Sequence, residues 1–487
     1  MTRPRYFLLT AALFLIVLCW WGIALARSGL AVRPLQREGV PLLYITPENH
    51  GQKIPGVLVA HGFAGSKQLM LGYAHVLAHG GYAVMLWDFD GHGANSTPLK
   101  SSALQRNLEV AASALLEQPE VDPARLALVG HSMGSGAVMS ASIHHRDRFA
   151  ATVAISPTDA AVTPQVPRNL MLQAGSAEGR FVANAQRLLR AAAGPNENLA
   201  AGQGRALIIV PNAEHITILF RDGSQQAVLQ WLNATFNQAP TSNYVDRRMI
   251  GYGFHLLAWL GVLGSLTVAF KPSTIQTTKL GSARSWSGLF LAPLVAGASL
   301  MLMSRSMEIQ NLAGLLVGGA LGLWFLFTGL VWLVLLGRLP RPTRQGIGMG
   351  LVLFGLLWMA FGAMAQVSWL QWWLIPARLK VWPFLSLACL PWFLASGMVQ
   401  QGVGLGRRIA WWLGQTTAIV GGLLLLLYLL PQLSFIFLLL PLFPLLIAIF
   451  SFTAAQVDEV WSYALGTSLF FGWMLAAAFP LAAKALF

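Results

Sequence analysis

Hydrophobic and polar positions divide the chain into three stretches. Behind Arg3 and Arg5, an apolar run extends from Tyr6 to Ala26. Its length fits a membrane-crossing helix. Its last residues, Ala24-Leu25-Ala26, weakly resemble a signal-peptide cleavage site, but the run is long for such a peptide. An uncleaved anchor is the expectation, because the distal half of the chain is also apolar.

The second stretch, residues 28–245, alternates short strand-like runs with amphipathic ones. Strands are expected at Val40–Ile45, Gly56–Ala60, Ala83–Trp87, Leu126–Gly130, Ala151–Ile155, Asn169–Gln173 and Ala206–Val210. Helices are expected at Gln68–Ala78, Ala103–Glu117, Ser135–His144, Phe181–Ala192 and Ser224–Phe236. Strands that alternate with helices predict a mainly parallel sheet covered on both faces.

From Gly251 the chain turns apolar again. Spans are expected near 252–270, 286–304, 310–337, 346–366, 382–400, 409–430, 432–453 and 460–483, with a weak boundary at Pro431. Trp369–Trp382 is rich in tryptophan and carries Arg378 and Lys380, so it reads as an interfacial segment. The expected organisation is an N-terminal anchor (1–27), an α/β domain (28–245) and an all-α polytopic membrane domain of about eight helices (246–487).

Charge supports this division. Only 10% of the 487 residues are charged, against about 25% in soluble chains. Residues 27–250 hold eighteen basic and fifteen acidic side chains, whereas 251–487 hold twelve basic residues and three acids: Glu308, Asp458 and Glu459. The net charge of +14 therefore comes largely from loops between spans. No basic stripe survives in the soluble stretch, so nucleic acid is not an expected partner. With nine spans, Arg3/Arg5, Lys271/Lys279/Arg284, Arg338/Arg341/Arg344 and Arg407/Arg408 share one side. Arg305, Arg378, Lys380 and Lys484 fall on the other. Positive loops stay inside, so the α/β domain is expected to face outward, in a bacterium the periplasm or outer face of the inner membrane. Both cysteines, Cys19 and Cys389, lie in apolar runs, so the soluble stretch can build neither a disulfide nor a thiolate metal site.

The chemistry centres on Gly130-His131-Ser132-Met133-Gly134, between an expected strand and an expected helix. This is the context a nucleophile elbow needs: a sharp turn exposes the serine, and the helix N-terminus behind it favours an oxyanion. Together with His61-Gly62-Phe63-Ala64-Gly65-Ser66, Asp88-Phe89-Asp90-Gly91-His92-Gly93 and Val121-Asp122-Pro123-Ala124-Arg125, it makes residues 40–237 resemble the α/β-hydrolase superfamily. The nearest kinds are dienelactone-hydrolase-like and serine-aminopeptidase-like members. No family is recognised for the membrane half.

The resemblance implies an oxyanion hole from the backbone N–H groups of Phe63 and Met133, with His61 shaping the loop. Asp88, Asp90 and His92 form a cluster that metal could in principle use. The resemblance instead makes this stretch a structural turn, with Asp90 where the family usually has Arg. His215, in the loop after the strand Ala206–Val210, fits the base, since no other histidine lies between His145 and His255. The order Ser, acid, His is that of this fold. Glu178, after the penultimate strand, stands where the family usually has Asp. Asp159, after the preceding strand, is the alternative acid. Glu214 adjoins His215, but neighbouring side chains diverge. His144 and His145 read as helix-end residues.

These residues predict a membrane-anchored serine hydrolase of a carboxylic ester or related acyl substrate, lipid-derived acyl groups among the candidates, working through an acyl-enzyme without metal or cofactor. The expected partners are that small acyl or lipid-like substrate and the bilayer. About a dozen residues separate Ile155 from Asn169, too few for a cap domain, so the membrane half is expected to cover the site and deliver substrate. The scarcity of intramembrane acids argues against an ion-coupled transporter. A peptidase or amidase of the same fold is the alternative enzyme. A catalytically idle hydrolase domain serving as a binding module is the alternative outside enzymology.

Overall fold

The structure is a computed structural model. It describes residues 3–239, 242–266, 282–457 and 459–482. Lys271, Lys279 and Lys484, used above to orient the chain, and Asp458 lie outside the described residues.

Two compact units are formed. One comprises Cys19–Gly253 together with Ala365–Gln371; the other comprises Met1–Leu18, Phe254–Met364 and Trp372–Phe487. The expected domain 28–245 falls inside the first unit, which also takes in a short segment from far along the chain.

The first unit is built on an eight-stranded sheet: β1 (Leu30–Arg37), β2 (Val40–Pro47), β3 (Ile54–Ala60), β4 (Ala83–Trp87), β5 (Val121–His131), β6 (Ala151–Ile155), β7 (Leu170–Gly175) and β8 (Arg205–Val210). Their order is β1-β2-β4-β3-β5-β6-β7-β8. β1 and β2 are antiparallel to their neighbours, and all pairings from β4 to β8 are parallel. Each expected strand is present. β1 is additional: it is a hairpin partner of β2, joined through Glu38 (φ 47°) and Gly39 (φ 78°). Positive φ at both central residues gives the twist that tight hairpins prefer.

Helices cover both faces. After α1 (Arg3–Ala26) come α2 (Leu71–His79), α3 (Leu104–Leu116), α4 (Met133–His144), α5 (Gly179–Ala191) and α6 (Asp222–Phe236). β3 shows how the two cores arise. Val57 and Val59 pack into the core under α2 and α6, while Leu58 and Ala60 pack into the core under α3 and α4. Alternate side chains of a strand point to opposite faces, so a strand buried on both sides reads as a continuous apolar run.

The chain leaves β3 toward β4 on one side and reaches β5 on the other. A crevice opens at the carboxyl ends of strands where the winding direction reverses. His61 to Phe63 and Ser132 stand at the ends of these two strands, at that point.

The second unit is helical. Its elements are α7 (Arg248–Ser265), whose first residues belong to the other unit, α8 (Ser282–Met303), α9 (Gly318–Leu336), α10 (Arg344–Ser368), α11 (Pro376–Gln400), α12 (Leu405–Leu429), α13 (Phe443–Val457) and α14 (Val460–Ala478). Eight helical segments among the described residues are long and apolar enough to cross a membrane: α1, α8 to α12, the segment Pro431–Val457 that ends in α13, and α14. The expected span near 252–270 coincides with α7 as far as Ser265; residues 267–270 lie outside the described residues.

Two expectations change in this unit. The span at 310–337 begins only at Gly318, because Ile309–Gly314 forms a separate short turn with Ala313 at φ 54°. Arg378 falls inside α11, whose candidate span begins at Pro376 rather than near 382. It is buried in α11 and donates to the carbonyls of Ala476 (2.5 Å) and Phe479 (2.7 Å). The last carbonyls of a helix lack internal partners, and here a buried guanidinium supplies them at the end of α14.

Candidate active site

Ser132 occupies the turn between β5 and α4 with φ 52° and ψ −119°. A non-glycine residue at positive φ is strained and persists only where its surroundings fix it. Here its N–H donates to Ile155 O (2.9 Å), and its carbonyl accepts from Ser135 Oγ (2.5 Å) and Ser135 N–H (2.8 Å). The flanking glycines are needed for space. A Cβ on Gly130 would stand 2.4 Å from Gly134 O, and one on Gly134 would stand 2.5 Å from His61 O. Strand, turn and the loop after β3 therefore touch backbone to backbone.

The loop after β3 runs against this elbow. A Cβ on Gly62 would lie 3.1 Å from Ser132 Cβ, which places the Gly62–Phe63 peptide beside Ser132. Gly65 N–H donates to Gly62 O (3.1 Å) and closes the turn. His61, fully buried, accepts the Phe89 N–H at Nε2 (3.1 Å), and its Nδ1 lies 2.7 Å from Gly62 O. Burial lowers its pKa, partly opposed by Asp88. The neutral ring thus serves as a brace between two loops.

Asp88 holds the same turn from beneath. It accepts from Lys67 N–H (2.8 Å), Lys67 Nζ (2.5 Å) and Ala94 N–H (2.9 Å). Burial alone would raise its pKa. Burial is the largest single influence, but the charge and hydrogen bonds of Lys67 and the neighbouring His61 together outweigh it, and the net shift is downward. Asp90 accepts from Asn95 Nδ2 (3.0 Å) and Asn107 Nδ2 (2.9 Å), and His92 Nδ1 lies 2.9 Å from Asp90 O. The trio forms a hydrogen-bonded turn, as the resemblance implied.

His215 and Glu178 sit on loops zipped together after β8 and β7. Ser176 N–H donates to Val210 O (2.9 Å), Ala177 N–H to Ala213 O (3.0 Å), and Asn212 N–H to Ser176 Oγ (3.0 Å). The result is a continuous chain: His215 Nε2 lies 3.1 Å from Ser132 Oγ, and His215 Nδ1 lies 2.6 Å from Glu178 Oε1. The other carboxylate oxygen of Glu178 accepts Gly175 N–H (2.7 Å) and Ser156 Oγ (2.8 Å). Phe181 stacks on the imidazole with ring centroids 4.4 Å apart.

The structure therefore brings Ser132, His215 and Glu178 together, with Phe63 and Met133 on the two segments flanking the serine. It does not bring Asp159 to them: that side chain is 82% exposed and pairs with Arg187. Glu214 instead accepts the N–H groups of Ile216 (3.1 Å) and Thr217 (2.7 Å) in its own loop. Fourteen residues, 156–169, join β6 to β7 without a helix.

Two positioning residues escaped the sequence reading. His131 is buried, and its Nε2 lies 2.9 Å from His215 O, holding the backbone of that residue. Burial, aided by His215, lowers its pKa well below the ordinary histidine value. Ser156, at φ 45°, supplies the hydroxyl that steers Glu178. His131 stood inside the motif and could have been noticed there; nothing in the sequence marks Ser156.

Residues 52–222 match the family model described as serine aminopeptidase, S33. Two uncharacterized proteins of Mycobacterium tuberculosis (strains CDC 1551 / Oshkosh and ATCC 25618 / H37Rv) are each 32% identical over 97 residues, 20% of this chain and 34% of theirs. The match thus spans about a third of the length of those curated relatives. Among solved structures, a dienelactone hydrolase from Anabaena variabilis is 18% identical, with 45% of this chain and 100% of that one covered at a TM-score of 0.34. A hormone-sensitive lipase from a metagenome library is 18% identical, with 48% and 98% covered at a TM-score of 0.35. Strand order, elbow and family match agree: the sheet-bearing unit has the α/β-hydrolase fold and is similar to the serine aminopeptidase S33 family, and the eight long apolar helical segments among the described residues mark an integral membrane protein.

Proposed function

We propose that the protein is a membrane-anchored serine hydrolase that cleaves a carboxylic ester or related acyl substrate through an acyl-enzyme. The carrying observation is the unbroken hydrogen-bonded chain Ser132–His215–Glu178 at the carboxyl end of the sheet. His215 Nε2 takes the proton of Ser132 Oγ as that oxygen bonds to the substrate carbonyl carbon. Its Nδ1–H stays donated to Glu178, which holds the tautomer and stabilises the imidazolium. The N–H groups of Phe63 and Met133 receive the oxyanion. The imidazolium then returns the proton to the leaving group, and water repeats the sequence to release the acid.

The strain and bracing at Ser132 support a working site over an idle binding module. In the same reading, basic loops hold the helical part in a bacterial inner membrane, with the hydrolase domain outside. Amide cleavage is the second reading, favoured by the aminopeptidase description of the matching family. Labelling of the detergent-solubilised full chain with a fluorophosphonate, beside Ser132→Ala, tests the enzyme. Labelling lost in Ser132→Ala supports it; equal labelling of both overturns it. Turnover of p-nitrophenyl esters against aminoacyl p-nitroanilides then separates the two readings.

A further inference from the structure

The segment Ala365–Gln371 folds with the hydrolase unit although 303 and 305 positions separate Gln371 from Gln68 and Ser66, which it meets. Trp369 packs against the apolar core of that unit and stands edge-on to Tyr252, with centroids 6.1 Å apart. Arg248 reaches Val367 O (3.4 Å). Gln371 makes the polar contacts of interest. Its backbone N–H donates to Ser66 Oγ (3.2 Å), and its Oε1 accepts from Gln68 Nε2 (2.7 Å) and Gln366 Nε2 (3.2 Å). Ser66, Gln68 and Gln371 are all buried.

Ser66 to Gln68 directly follow the turn Gly62–Gly65 that presents Phe63. Gly65 is packed so tightly that an added Cβ would stand 3.0 Å from Leu69 Cδ2 and 3.3 Å from His61 Nδ1. The turn has no slack of its own, so its position follows from what holds its two ends. His61 anchors the first end through Phe89. Lys67, Ser66 and Gln68 anchor the second, Lys67 through Asp88 and the other two through Gln371.

We propose that Gln371 is a positioning residue for the oxyanion turn, acting through Gln68 and Ser66 to set the Phe63 N–H. The proposal rests on the serine-hydrolase reading. Buried polar groups joined in a network fix geometry because an unmade bond in a low-dielectric interior is costly. A misplaced oxyanion donor weakens transition-state binding and leaves ground-state binding largely untouched. Breaking the link should therefore lower kcat and spare KM.

The test uses the full chain in detergent, with a p-nitrophenyl ester as probe and active sites titrated by fluorophosphonate, so that kcat is expressed per competent site. Gln371→Met and Gln68→Met each remove the side-chain bond from one end at similar volume. Each is expected to lower kcat about tenfold, the scale of one well-placed hydrogen bond, with KM within about twofold. The double variant is expected to be no worse than either single one, as for two ends of one interaction. A kcat per titrated site within about twofold of wild type in both single variants overturns the proposal, as does fully additive loss in the double variant. Wild type that labels no better than Ser132→Ala overturns the serine-hydrolase reading itself. If Gln371→Met fails to accumulate, Gln68→Met carries the test alone by the same criteria.

Discussion

Replacing Glu178 by Gln isolates the role of its charge without changing its shape. One carboxylate oxygen accepts Gly175 N–H at 2.7 Å and Ser156 Oγ at 2.8 Å; the other faces His215 Nδ1 at 2.6 Å. In the amide, the oxygen stays with the Gly175 donor, because an NH2 group there would oppose an N–H. The NH2 group is then turned to His215 Nδ1, which must become an acceptor. The proton moves to Nε2, and that nitrogen can no longer take one from Ser132 Oγ. The corresponding acid-to-amide change in a serine protease triad lowers kcat by about 10⁴, equivalent to about 5.4 kcal/mol. A loss of that order is expected in p-nitrophenyl ester turnover by Glu178→Gln, with KM little changed. Asp159→Asn, on the surface and paired with Arg187, should remain within about twofold of wild type, since surface changes are usually worth within ±0.5 kcal/mol. Activity of Glu178→Gln within about tenfold of wild type would refute this account of the acid, and a large loss in Asp159→Asn would relocate it.

Further predictions concern stability and packing. Lys67→Met leaves Asp88 buried beside an apolar chain, and loss of one partner of a buried pair costs about 3–5 kcal/mol; a thermal melt of the full chain in detergent should fall by many degrees, and an unchanged melt would contradict the pairing. Gly134→Ala drives a Cβ toward His61 O, a backbone atom that cannot rotate away; overpacking of this kind costs about 1–3 kcal/mol, and both melting temperature and ester turnover should drop. Acidification should also destabilise the hydrolase unit. His61 and His131 have pKa values lowered by burial, so the unfolded chain binds protons first, below about pH 6.5. Their contribution is complete above that pH and is lost as pH falls toward the folded values, at up to about 1.4 kcal/mol per unit for each group. Melts at pH 7 and pH 5 measure this, and a higher melting temperature at pH 5 would be the wrong sign.

Much of the hydrolase unit was legible because its determinants are local. Doubly buried strands are continuous apolar runs, and β4 and β6 have the bounds their runs predict. The elbow carries its own glycines, and chain order pointed to His215 and Glu178. β1 was missed because an edge strand with Pro34 and alternating polar residues has no apolar run to find; an edge tolerates proline since one side needs no donor. The contacts of Ser156 and Gln371 join loops and distant segments that meet only in three dimensions. Trp369 shows the same limit from another direction. Its composition reads as a membrane interface, yet the half-buried ring packs against the core of the hydrolase unit. Arg378 likewise resembles a flanking charge in the sequence, and only the end of α14 explains its burial.

The central claim is that Ser132 is the nucleophile of an acyl-enzyme. Brief exposure of the full chain to a p-nitrophenyl ester, acid quench and peptide mass spectrometry tests it most directly. A single acyl adduct is expected on the peptide containing Ser132, formed with a burst of p-nitrophenol and absent from both Ser132→Ala and His215→Ala. An adduct on another residue, or turnover that persists in Ser132→Ala, would contradict it.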